Sequence, residues 1–153
     1  MLFGNKGLFA IEANVSSENL YGELILWFGG KRFGDGEPNY FKPQLSALKR
    51  LKDLSYISSL NPRGLMPNVL LKSILDSETL YDLTLLGLNN GFDSYVHRAY
   101  KYNLEVVFLW VLLPNRSADI DFNKDVVELA CIESVEYDKV IGELQEWIEG
   151  GGL

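Results

Sequence analysis

From Leu8 to Val15 apolar and polar positions alternate. Phe9, Ile11 and Ala13 share one face and Ala10 and Glu12 the other, the period-two signature of a strand. The polar turn "SSEN" separates it from "YGELILWF" (21–28), a second strand rich in bulky residues. So short a turn predicts an antiparallel hairpin. Gly29 and Gly30 end the second strand, "KRFG" returns as a short third, and "DGEPN" forms a loop.

The period then changes. Over Lys42–Tyr56, Leu45, Leu48, Leu51 and Leu54 form a helical stripe, with Lys49, Arg50, Lys52 and Asp53 mainly on the other side and Pro43 in the first turn. Pro67 opens a shorter helix with Val69, Leu70 and Ile74 on its buried side, whereas Thr79–Leu88 fits either helix or strand. "NNG" at 89–91 marks a turn, and Ser94–Tyr100 reads as a strand. Leu104–Leu113 is a continuous apolar run, which suits a central strand covered on both faces and stopped by Pro114. After a polar loop, Val126–Ile132 is a final strand. Ser134 caps the last helix, Val135–Glu149, in which Tyr137, Val140, Ile141, Leu144, Trp147 and Ile148 face inward. Glu136, Lys139, Glu143 and Glu146 line its opposite side. Strands, two helices, strands and a helix predict an α+β fold: a largely antiparallel sheet packed by about three helices.

Length and composition narrow the class. A chain of 153 residues suits one domain, 1–153, with a real core, and 47% hydrophobic with 23% charged residues is ordinary for a globular protein. The net charge of -7 makes nucleic acid a poor direct partner and would attract a basic protein. That charge is uneven. Residues 31–63 carry seven basic and three acidic side chains, whereas residues 76–153 carry five and fifteen. Cys131 has no second cysteine to pair with, which fits a reducing compartment, and its neighbours Ala130 and Ile132 suggest a small buried hydrophobe. The N-terminus has no signal-peptide pattern, and no apolar run reaches the roughly 18 residues of a membrane span. A cytoplasmic protein without membrane contact is expected.

Candidate chemistry fails on spacing. "GGKR" at 29–32 invites a phosphate-loop reading, but Arg32 stands where a hydroxyl is needed and Ile25 where the first glycine is needed. Asp119, Asp121, Asn123 and Asp125 alternate like the start of a calcium loop, yet Lys124 replaces the required glycine and Ala130 the required glutamate. His97 with Ser94 and Asp93 makes a triad only on paper, because strand alternation separates Ser94 from the other two. No catalytic residue, metal or cofactor is expected.

Short motifs carry a resemblance. "GNKGLFAIE" at 4–12, Gly22, and "WFGGKRFGD" at 27–35 place Gly4, Asn5, Phe9, Ala10, Ile11, Glu12, Trp27, Phe28, Gly30, Phe33, Gly34 and Asp35 in the pattern of a family of bacterial polymorphic-toxin immunity proteins, the family numbered forty-two. Phe92, Asp93, Trp110 and the closing Trp147-Ile148 are similar to later parts of that pattern, while 42–88 matches only in helix-then-helix character. The resemblance implies a non-enzymatic antidote of the contact-dependent growth inhibition type. Such a protein binds its cognate toxin's C-terminal domain, often a nuclease, in the cytoplasm.

On that view the acidic last third mimics a phosphate backbone toward a basic toxin. The candidate toxin-binding residues are Asp119, Asp121, Glu133, Glu136, Glu143 and Glu146, with Lys31, Arg32 and Asp35 at the hairpin tip as a second patch. Two other readings stay open: an adaptor or chaperone for a secreted effector, and an enzyme with a carboxylate site. Trp27, Trp110 and Trp147 are expected in the core, and an exposed one would mark an interface.

Overall fold

Alternation and turn chemistry build the N-terminal sheet. The computed structural model describes residues 1–88, 90–113 and 119–152. Strands β1 (Leu2–Asn5), β2 (Phe9–Ser17), β3 (Tyr21–Phe28) and β4 (Lys31–Phe33) pair antiparallel in that order, and β5 (Asn39–Tyr40) adds to the far end of β3. Gly29 and Gly30 form the two-residue β3–β4 turn with φ of 56° and 82°, a left-handed pair that closes a hairpin with the right twist.

The chain divides into two compact units. The first holds 1–49, 88–93 and 134–153: this sheet, helix α1 (Phe41–Lys49) and the last helix, α4 (Ser134–Glu149). Helix α4 buries Tyr137, Val140, Ile141, Leu144 and Ile148 of the inward stripe read from the sequence, while Trp147 of that stripe is half-buried, and it packs against α1, β1 and β2. The core here is aromatic. Phe9 stacks on Phe28 at 5.4 Å and on Tyr137 at 5.2 Å, and Phe33 meets Phe92 at 4.9 Å. The Tyr137 hydroxyl donates to the Leu48 carbonyl at 2.7 Å, and burial pushes its pKa well up.

The second unit holds 50–87 and 94–133. Its sheet has β7 (Glu105–Leu112) between β6 (Tyr95–Tyr102) and β8 (Glu128–Glu133), all antiparallel. β7 is the continuous apolar run, and Val106 to Val111 are all buried, as a central strand requires. Helices α2 (Pro67–Leu75) and α3 (Glu78–Leu83) belong to this unit. Leu70, Leu71 and Ile74 of α2 join Tyr100, Val107, Leu109 and Val111 in a largely aliphatic core. The outer edge of β6 is not open. Ala99 N–H donates to Thr84 O, and Lys101 pairs with the backbone around Tyr56.

The α+β, antiparallel architecture is as read, with its strands in two sheets. Several boundaries differ, and β2, β6 and β8 lie one or two residues from their expected ends. The helix expected over 42–56 is α-helical only to Lys49 and tightens into a 3₁₀ turn at Arg50–Asp53. β1 and β5 were not expected; each is short and lacks a strong alternating signal. The ambiguous segment 79–88 is helical to Leu83 and extended beyond it. Pro114 and Asn89, the expected strand stop and first turn residue, lie outside the described residues.

Candidate functional site

In the first unit the acidic side of α4 is laid out by the same period that buries its apolar side. Glu136, Lys139, Glu143 and Glu146 follow one another at i, i+3, i+7 and i+10, so they form one stripe along the helix. Lys139 and Glu146 are exposed, and Glu136 and Glu143 are half-buried. Among the described residues none of the three glutamate carboxylates makes an ion pair or hydrogen bond, so these carboxylates are available to a partner. The unit as a whole carries six basic and eleven acidic side chains.

At the hairpin tip, Lys31 and Arg32 are exposed on β4, opposite Phe28 and Trp27. Asp35 is half-buried, and its backbone N–H donates to Gly91 O at 2.5 Å. Behind the tip, Glu12 accepts from Lys6 Nζ at 2.7 Å and from Trp27 Nε1 at 2.9 Å, which lowers its pKa. Trp27 and Trp147 are half-buried and Trp110 is buried, so no tryptophan is exposed as an interface marker. An open hollow in this unit is lined by Glu18, Asn19, Leu20, Tyr40, Lys42 and Gly151.

The remaining predicted residues belong to the second unit. Asp119 and Asp121 are exposed. Asp121 is committed to its own loop: its Oδ1 accepts from Asn123 N–H at 3.0 Å, and its N–H donates to Asp125 Oδ2 at 2.8 Å. The alternating acids that suggested a calcium loop thus cap a turn. Glu133 is exposed at the end of β8, opposite Glu105. Asp93 and Ser94 precede β6 rather than lying in it, so the paper triad shares no strand. Cys131 is half-buried and its thiol is pushed up to about 11, mainly by burial, which makes it a poor nucleophile.

Arg98 is a charged group that pattern-reading passed over. It lies on β6 between Val96 and Tyr100, opposite Leu109, on the face that forms the aliphatic core. It is 6% exposed. Its guanidinium sits 3.8 Å from the ring centre of Tyr81 on α3, and Nη1 reaches the His97 carbonyl at 3.4 Å. Nε is buried and donates to nothing among the described residues. The available signal was a cation in the apolar register of a strand.

No family model matches the chain, and no curated protein matches it. In fold, the chain is similar to the crystal structure of CdiI from Burkholderia dolosa AUO158, with a TM-score of 0.64 and 17% identity. The likeness covers 95% of this chain and 99% of that one and bears out the α+β reading.

Proposed function

We propose that the chain is an immunity protein that binds the C-terminal domain of a cognate bacterial toxin and neutralises it by direct contact, in contact-dependent growth inhibition. One observation carries the reading: the fold extends over nearly the full length of both this chain and a CdiI protein. The motif residues Phe9, Trp27, Gly30, Phe33 and Gly34 support it independently, because they belong to the resemblance read from sequence. The finer family assignment rests on those residues alone.

On this reading residues 1–153 act together as one cytoplasmic, non-enzymatic antidote that needs no cofactor. The α4 stripe Glu136, Glu143 and Glu146 offers carboxylates to a basic toxin surface such as a nuclease presents. Asp119, Glu133 and the oxygen of Asp121 that its own turn leaves over are separate candidates in the second unit. Lys31, Arg32 and Asp35 form a separate patch at the hairpin tip. Co-expression with the C-terminal domain of a toxin from a neighbouring gene, where there is one, tests the proposal. Growth rescue with a co-purifying complex is expected. Continued toxicity without a complex refutes it, and toxicity retained with better effector secretion favours a chaperone.

A further inference from the structure

Arg98 and Arg63 pose a contrast within the second unit. Arg63, at the surface, donates from Nη2 to both carboxylate oxygens of Glu105, at 2.7 and 2.8 Å. Arg98, in the core face, has no carboxylate within ion-pair distance among the described residues. An arginine does not shed its proton, so its charge stays wherever the side chain is put. Burial without a counter-charge is costly, and a tyrosine face offsets only part of the lost hydration. Among the described residues, the long contact from Nη1 to His97 O and the unpartnered Nε leave part of the guanidinium fork unfilled.

The surroundings resemble an interface anchor more than a closed core. Tyr81, which covers the guanidinium, is 42% exposed, and Leu83 and Leu85 on the same segment are exposed too. The segment itself is held firmly. Thr84 Oγ1 donates to Leu80 O at 2.8 Å, Thr84 O accepts from Ala99 N–H at 3.1 Å, and Arg50 Nη2 donates to Leu86 O at 2.9 Å. Arginine and tyrosine are two of the residue types that concentrate binding energy at protein interfaces.

We infer that Arg98 is the receptor for a carboxylate of the bound partner protein, an aspartate or glutamate side chain that enters beside Tyr81 and fills the guanidinium fork. The charge is complementary, the planar fork matches a carboxylate with two contacts, and the apolar surroundings strengthen the pair. The identity of the partner rests on the antidote reading; the carboxylate receptor does not. The acidic α4 stripe would then draw a basic partner in, while Arg98 would recognise one acid on it.

Two measurements test this on the full chain. Arg98→Met keeps the apolar stem and removes the charge. The free variant should melt at the same temperature as wild type or higher. Its complex with the toxin domain should weaken on the order of 100-fold, and Arg98→Lys, lacking the fork, should weaken it as well. Binding within about twofold of wild type overturns the inference, whether or not the melting temperature falls. The second measurement needs no toxin. Acetate, as a bare carboxylate, is titrated into the free wild-type protein while the Arg98 Nε–H resonance is followed. A saturable shift supports the receptor, and its absence overturns it even if Arg98→Met fails to fold. Failure of wild type to bind any toxin domain overturns the antidote reading instead, and the acetate result still decides this one.

Discussion

The first unit buries rings, and the second buries aliphatic side chains together with one cation. Phe9, Phe28, Phe33, Phe92 and Tyr137 meet in the first unit through stacked and tilted contacts, and its charges lie outside that core. The second unit packs Leu70, Leu71, Ile74, Val107 and Leu109 with fewer geometric demands, yet places Arg98 in the same face. The net charges differ as well: the first unit carries -5 and the second -2. One unit therefore keeps its charge where it can steer a partner, and the other holds a charge where it can grip one.

Truncations in the two cores give the largest effects. Phe9→Ala removes a ring packed on two others and should cost about 3–5 kcal/mol, whereas Leu70→Ala should cost about 2–5 kcal/mol. Urea unfolding of both variants, followed by tryptophan fluorescence, shows whether the aromatic core is the more sensitive. Equal losses would dissolve that distinction. A smaller loss is expected at the hairpin. At Gly30 an added Cβ meets nothing within 4 Å, but φ is 82°, so Gly30→Val should cost about 1–2 kcal/mol from conformation alone.

Steering is tested by Glu136→Gln, Glu143→Gln and Glu146→Gln together. Association with the toxin domain should slow about tenfold at low salt, and the difference should shrink as salt rises. An association rate that ignores both salt and the triple substitution would remove α4 from the account. The smallest effect is expected at Glu12. Its pKa is lowered from 4.5 by Lys6 and Trp27, so its contribution is present above that value and is lost as the pH falls through the lowered pKa. Glu12→Gln should cost under about 1 kcal/mol at neutral pH and nothing in strong acid, by urea unfolding at each pH.

Much of this was legible because one period dominated locally. β3 was read to the residue, since bulky residues run from Tyr21 to Phe28 and two glycines stop them. The last helix was read within one residue from its apolar stripe. The 3₁₀ turn at Arg50–Asp53 was not legible, because Leu51 continues the apolar spacing and hides the change in winding. The candidate residues were legible as charges but not as roles. Asp121 spends its carboxylate on a turn, which spacing does not reveal. Arg98 looks like any strand arginine until the register places it opposite Leu109 and under Tyr81.

Titration of the purified chain into the C-terminal domain of a candidate cognate toxin decides whether the chain is an antidote. Saturable one-to-one binding at about 1 μM or tighter is expected, with toxicity abolished in cells that make both proteins. No binding, with toxicity unchanged, would contradict the antidote reading.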